Sequence, residues 1–358
     1  MDKERKFVVN LKKVTITDIA HEAQVSISTV SRVLTGSAGV NDEIREKVQA
    51  LAQEMGYKPP AHPAARKIAT KAIAFLVESS DVFVNGASFF GKFLAGVHQV
   101  LEPREYQVIL RTAKREVDSR QQIAEMLESG ITGFILAQTQ IHDPFVKVFQ
   151  DLQCPFVTLG RTIGVLNTPY VDVDSFGGAY AAVSALTGRG HRHIAHISGR
   201  LNTLAAMARL EGYRKALQDA ELKYDERYTV EGGESQQEAY DATLQLLNQT
   251  DLTPPTGIFV YNDFLTVGVM SALHDRGIRV PADLALIGFD DDEASSFAVP
   301  PLASVRWPAI EMGRKAAEMV LVLLAGEPLQ ERQVVLPTEV VERESLGATV
   351  ECRDHRVV

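Results

Sequence analysis

Between Ile27 and Leu34 the chain carries residues of the types and spacing that read nucleic-acid bases. Ser28, Thr29 and Ser31 are short and polar. Arg32 is a long donor whose planar fork can hold the O6/N7 edge of guanine through two hydrogen bonds. Val30, Val33 and Leu34 fall on the other side at helical spacing, as a buried face requires. A small helical bundle with serines facing water fits the same pattern, and spacing alone leaves both readings open. A second cluster, Asp290-Asp291-Asp292, has charge enough for a metal but reads rather as strand-end carboxylates before a helix. Catalytic motifs are missing from the sequence. LVESSDVFVNG after the first predicted strand has no G-x-G-x-x-G loop, and no Walker sequence, H-E-x-x-H or G-x-S-x-G elbow occurs elsewhere. Cys154 and Cys352 form neither a metal cluster nor a disulfide framework. The expected chemistry is recognition, with no enzyme activity and no cofactor.

Three short helices must position the 28–32 cluster. The first starts at Thr15, whose hydroxyl caps it while Asp18 completes a capping box, with Ile16, Ile19, Ala20 and Ala23 on one face. Gln24-Val25-Ser26 breaks the pattern, and Ser26 caps the second helix. Asn41 caps a third, with Asp42 and Glu43 favourably placed in its first turn; it buries Ile44, Val48 and Leu51, and Gly56 ends it. Two short helices across a three-residue turn form a helix-turn-helix whose second helix fits the DNA major groove.

From Ala72 the pattern changes to short β-branched runs: 72–77, 107–111, 133–137, 155–159, 193–198, 257–261 and 284–289. Most are separated by stretches with helical periodicity, which predicts parallel sheets built from right-handed βαβ units in two lobes. Length points the same way, since 358 residues exceed one ordinary core. The charge is uneven. Residues 1–71 hold 12 Lys/Arg against 8 Asp/Glu, whereas the rest hold 25 against 38. A basic head on an acidic body suits a protein whose first domain alone touches phosphate. The opening MDKERKFVVNLKK lacks the apolar core of a secretory signal, and no run approaches the roughly 18 apolar residues of a membrane helix. The expectation is a cytoplasmic protein with no membrane partner.

The segment VTITDIAHEAQVSISTVSRVL, followed by V-N-D-E-I-R-E-K-V and G-Y-K-P, resembles the DNA-binding headpiece of the lactose/galactose-repressor (LacI/GalR) family. The resemblance implies that Ile27, Ser28 and Arg32 read bases, and that Thr17, Ser26, Thr29 and Ser31 contact phosphates. Gln24 departs from it, standing at a turn position where the family usually has glycine; a left-handed backbone there would cost on the order of 1 kcal/mol. Family members continue into a short hinge helix that wedges a leucine into the minor groove. Here Pro60 and Pro63 interrupt that stretch. Either a helix starts near Pro63 and Ile68 is the wedge, or the segment is a plain linker.

The resemblance extends through SFFGKFLAGV, VDVDSFGGAY, GHRHIAHISG, ARLEGYRKAL, YNDFLTVGVMSAL, RGIRVPADLALIGFDD and VPPLASVRWPAIEMGRKAAE. It implies an N-terminal all-α helix-turn-helix headpiece and an α/β two-lobed periplasmic-binding-protein-like type I sensor domain. Its lobes would be joined by three crossovers, with ligand held between them at the carboxyl ends of strands. The implied divisions are an N-terminal extension (1–13), a helix-turn-helix domain (14–58), a hinge or linker (59–71), an effector-binding and dimerisation domain (72–345) and a C-terminal tail (346–358). Phe89 resembles the family's aromatic wall, Arg209 its ligand-gripping arginine, Asp290 the carboxylate facing it, and Asp174 another cleft residue. Asn262 could offer both donor and acceptor, with Asp263 capping the following helix.

Arg111 and Arg161 at strand ends, and Trp307 where the family usually has glutamine, depart from its pattern. If Arg111, Arg161 and Arg209 all face the cleft, the ligand is an anionic sugar such as a uronate or sugar phosphate. If Arg111 lies on the surface, the ligand is a neutral saccharide with Trp307 as an extra stacking surface, the preferred case. The implied protein is a repressor that binds double-stranded operator DNA as a homodimer, further pairing to a tetramer being left open. A small sugar effector would modulate it, and release of DNA on binding is favoured over corepression. A sugar-transport protein of the same fold would need export and no headpiece. Arg32→Ala is expected to lose about 1–3 kcal/mol of discrimination at one base pair per half-site. Competition binding on operator and random DNA checks this, since equal losses on both would reduce Arg32 to a phosphate contact.

Overall fold

A computed structural model describes residues 15–34, 41–55, 57, 71–77, 87–112, 114, 117–137 and 140–348, with the side chains of Ser31, Asp42 and 87–89 left out. The chain divides into two compact units, Met1–Ile68 and Ala69–Val358.

In the first unit, α1 (Ile16–Ala23), α2 (Ile27–Leu34) and α3 (Asp42–Glu54) enclose Ile19, Ala20, Ala23, Val30, Val33, Val48 and Ala52. Ile16, Val25, Leu34, Ile44, Leu51, Met55 and Tyr57 close the edges of this core. The capping box is present: the Asp18 amide donates to Thr15 Oγ1, and the Thr15 amide returns a 2.7 Å bond to Asp18 Oδ2. Gln24 takes the left-handed conformation at φ 58°, so this departure from glycine carries its small strain. Ser26 caps α2 through the Thr29 amide, and Asn41 caps α3 through the Glu43 amide. The third helix stops at Glu54, with Met55 as its C-cap; Gly56 lies outside the described residues.

The second unit holds two sheets. In chain order the first lobe contributes β1 (Lys71–Val77), α4 (Ala87–Leu101), β2 (Tyr106–Thr112), α5 (Ser119–Glu128), β3 (Ile131–Leu136), α6 (Pro144–Asp151), β4 (Phe156–Leu159) and β5 (Tyr170–Val173). The second contributes α7 (Ser175–Thr187), β6 (Ile194–Ser198), α8 (Leu204–Asp219), β7 (Thr229–Glu231), α9 (Gln236–Leu247), β8 (Gly257–Val260), α10 (Asp263–Asp275), β9 (Ala285–Asp290), α11 (Glu293–Phe297) and β10 (Ala303–Arg306). The chain then returns to the first lobe as α12 (Ala309–Leu324) and β11 (Gln333–Leu336), and ends in the second with β12 (Glu339–Val341).

The strand orders are β11-β5-β4-β3-β1-β2 and β12-β10-β9-β8-β6-β7, every pairing parallel except β10 with β12. Three links therefore cross between lobes: Asp174, Trp307-Pro308 and Pro337-Thr338. The first and third are tied together, because the Asp174 amide donates to Leu336 O and Thr338 Oγ1 donates to Asp174 O. Helices α4 and α12 touch backbone to backbone: a Cβ at Gly96 would lie 2.0 Å from Ile310 O, and one at Gly313 would lie 2.1 Å from Phe93 O. Leu346, expected at the start of the tail, is instead buried in the second lobe's core, because a 3-10 turn at Glu344–Leu346 folds it against β9. Among the described residues, no helix is long and apolar enough to cross a membrane.

Continuous apolar strands such as β1, buried from Ala72 to Val77, are what a sheet covered on both faces requires. His196 interrupts β6 with a polar ring that is fully buried. Its Nδ1–H donates to Phe259 O at 3.0 Å, and its ring stacks on Phe259 at 4.8 Å. Burial lowers its pKa to about 4, against 6.5 in an exposed histidine. Between those values the unfolded chain binds a proton that the folded chain refuses. Stability is thus complete above pH 6.5 and declines as pH falls toward 4. This site's share is expected to be about 3 kcal/mol. Urea titrations across that range check it, with His196→Phe expected to flatten the slope.

Candidate functional site

On the first unit, the exposed side of α2 presents Ile27, Ser28 and Arg32, with Thr29 half-buried beside them. Ile27 is 47% exposed, an apolar group displayed at the first position of a helix. Ser26 Oγ lies 2.7 Å from Ser28 Oγ and 2.8 Å from Thr29 Oγ1, so three hydroxyls gather at the α2 N-terminus, where amide donors and the helix dipole favour an anion. Thr17, on α1, is exposed. Ile68 and the side chain of Ser31 lie outside the described residues.

In the second unit the structure brings Arg209, Asp290 and Trp307 together. Arg209, on α8, is 6% exposed. Its guanidinium lies 3.5 Å from the Phe289 ring centroid and 4.4 Å from that of Tyr261, and Nη1 donates to Tyr261 O. Its Nη2 stands 3.8 Å from Asp290 Oδ1, while its buried Nε has no hydrogen-bond partner among the described residues. Trp307 Nε1 donates to the same Asp290 oxygen at 3.1 Å. Burial raises the Asp290 pKa to about 6; Arg209 opposes the rise, Asp292 adds to it, and the Trp307 bond lowers it. A cavity of about 520 Å³ borders Asp290 and Trp307, with Lys92 on α4 and Ile310 and Arg314 on α12 among its walls.

The turn bearing Asp290 is strained. Asp290 has φ 111° and Asp291 φ 53°, a region that side chains other than glycine rarely adopt. Its surroundings hold it there. Asp291 accepts 2.6 Å bonds from Arg306 Nε and Arg343 Nη2, and its amide donates to Ser304 Oγ. The Asp292 amide donates to Asp263 Oδ2. The acidic trio thus serves separate partners, with Asp290 turned to Trp307 and Asp291 to two arginines.

Asp263 is the residue the sequence reading missed. Expected to cap α10, it is instead a buried hub that also accepts from Ser295 Oγ and from Ser304 Oγ at 2.7 Å. Asn262 does the capping, accepting from the Leu265 amide at 2.9 Å. Burial, reinforced by the Asp290 charge, raises the Asp263 pKa to about 7 against its three hydrogen bonds. The serines at 295 and 304, spaced around the acidic turn, were the signal available.

The other expected cleft residues are spread out. Asp174 is exposed and caps α7 through the Gly177 amide, at the first link between lobes. Arg161 Nε donates to the nearly buried Asp172 at 2.7 Å. Arg111 is exposed on β2, the outer strand of its sheet, at the opposite edge from the links carried by β5 and β11. The backbone of Phe89 opens α4, and its side chain is outside the description.

A helix-turn-helix with a polar, arginine-bearing face, attached to a two-lobed α/β body, defines a DNA-binding transcription regulator. Residues 15–60 match the model for bacterial regulatory proteins of the lacI family, and 183–346 match a periplasmic-binding-protein-like domain. The transcriptional regulator CelR of Thermobifida fusca is 31% identical over 93% of this chain and 98% of its own length. The ribose operon repressor of Haemophilus influenzae is 32% identical with the same coverage. Among solved structures, a CelR–cellobiose complex matches with TM-score 0.72 and 30% identity over 93% of this chain and all of that one. A lac repressor dimer bound to operator matches with TM-score 0.67 and 26% identity over 94% of this chain and all of that one. The chain belongs to the lacI family of bacterial regulatory proteins, whose members here are transcription regulators and not enzymes.

Asp263→Ala leaves Ser295, Ser304 and the Asp292 amide without their shared acceptor. It is expected to cost about 2–4 kcal/mol of unfolding free energy, with Asp263→Asn recovering part of it. Denaturant midpoints of the two variants check this.

Proposed function

We propose that this protein is a cytoplasmic repressor that holds its operator as a homodimer and releases it when a neutral saccharide binds between the lobes. The observation that carries the ligand's chemistry is charge compensation. Arg161 faces Asp172, Arg209 faces Asp290, and Arg111 sits on an exposed outer strand. A uronate or sugar phosphate would need a buried cation not already balanced by a carboxylate; Lys92, which has no ion pair among the described residues, is exposed on the cavity wall, where solvent screens it. A neutral sugar instead suits a carboxylate that accepts a hydroxyl hydrogen, a donor fork beside it and an indole for the C–H face. The cellobiose-bound CelR and the ribose operon repressor support the class of ligand without fixing its identity.

For DNA, Arg32 and Ile27 are suited to base edges and thymine methyls, and the hydroxyls of Thr17, Ser26 and Thr29 to phosphates. Pairing two headpieces supplies the surface one lacks. Large apolar side chains left exposed on the second lobe, Phe297 at 77% and Val299 at 90%, support a partner copy there, and the lac repressor structure that this chain matches is a dimer. Release requires the ligand to prefer the lobe arrangement that binds DNA poorly, by a coupling of about 1–3 kcal/mol.

A footprint on the DNA upstream of this chain's own gene, repeated with cellobiose, ribose, galactose, glucuronate and glucose 6-phosphate, tests the reading. A neutral sugar is expected to release the footprint, and Asp290→Ala to bind DNA but ignore that sugar. Release by the acidic sugars alone would replace the neutral ligand with an anionic one, and tightening would make the ligand a corepressor.

A further inference from the structure

We propose that Trp307 is a positioning residue that limits how Asp290 meets the effector and carries occupancy of that carboxylate into the arrangement of the lobes. The ligand's chemistry rests on the saccharide reading above, whereas the device itself does not. Trp307 is the chain's single tryptophan, and with Pro308 it forms the whole second link, from β10 of one lobe to α12 of the other. Its half-buried ring packs on the core containing Phe75, Phe93 and Met312 and on the core containing Tyr213, Phe259 and Phe289. Among the described residues no other apolar side chain packs on both of those cores.

The indole N–H and Arg209 Nη2 both face Oδ1 of Asp290, whereas Oδ2 has no hydrogen-bond partner among the described residues and the side chain is 20% exposed. A free carboxylate can take two neighbouring hydroxyls, one on each oxygen. With Oδ1 engaged by the indole, Asp290 is left to accept one. A ligand that takes Oδ1 as well competes with the indole for that oxygen, and weakening a half-buried hydrogen bond is unfavourable. The ring then turns away from Oδ1. Because it is wedged against both cores and is itself the link, it turns only if the link moves.

Protonating Asp290 perturbs the same bond without any ligand. The charged and titratable groups around it are Arg209 from α8, Asp291 and Asp292 in its own turn, Asp263 from α10, the Trp307 indole from the link, Arg306 from β10 and, across the cavity, Lys92 from α4 and Glu311 and Arg314 from α12. With full-length protein and no sugar, the single-tryptophan emission is expected to titrate between about pH 7.5 and about pH 5. The midpoint should lie near pH 6 in the parent, and Asp290→Asn should be flat. Emission that titrates equally in Asp290→Asn, or not at all in the parent, overturns the proposal. At saturating cellobiose or ribose, whichever releases operator, the drop in operator affinity is expected to shrink from about tenfold in the parent to under about twofold in Trp307→Phe. A Trp307→Phe protein with the full response also overturns it. If neither sugar nor any other in the panel alters operator binding, the saccharide reading fails while the titration still decides the device.

Discussion

Two consecutive aspartates with left-handed backbone at the end of β9 are the constraint on which the sensor depends. Each unfavourable torsion costs of the order of 1–3 kcal/mol and persists only where the surroundings fix it. Here Asp263, Ser304, Arg306 and Arg343 all grip the turn, from α10, β10 and the segment after β12. The strain aims one carboxylate, Asp290, at the arginine and the indole, while its neighbour Asp291 is absorbed by two cations. Without that network the turn would relax, and Asp290 would leave its partners.

Charge is handled in the same way throughout the sensor. Arginines that in the sequence look like a basic pocket are each matched by an acid or left on an open edge. Arg161, Arg209, Arg306 and Arg343 are thus matched by acids within a body that keeps an excess of carboxylates, while excess positive charge stays in the first seventy residues. The two units meet different partners by opposite electrostatic means. One displays an arginine and hydroxyls on an exposed helix face, and the other pairs its buried arginine with a carboxylate inside an acidic body.

Much of this was legible in the residues. The three headpiece helices announce themselves through Thr15, Ser26 and Asn41, because a cap is a local hydrogen bond that needs no tertiary context. The long buried strands appear as apolar runs. By contrast β5, β10, β11 and β12, with sequences YVDV, ASVR, QVVL and EVV, are short and each carries a polar or charged residue, so none shows the apolar run of β8, yet they build the links between lobes. Asn262 takes the capping expected of Asp263, since either can cap a helix and only the fold reveals which is surrounded by serines. Grouping Arg209 with Asp290 was within reach of resemblance. The pairings of Arg161 with Asp172 and of Trp307 with Asp290 were not, because they join residues whose proximity is set by strand register.

The glycine contacts between α4 and α12 bear on how motion travels. Side chains at a helix interface can repack and absorb a fraction of an ångström, but carbonyls pressed against a bare Cα have no such slack. A displacement entering at Pro308 therefore meets little slack between α12 and α4 at these two contacts. Such a pair of contacts passes movement from one helix to the other, and it does so only as long as neither glycine acquires a methyl group.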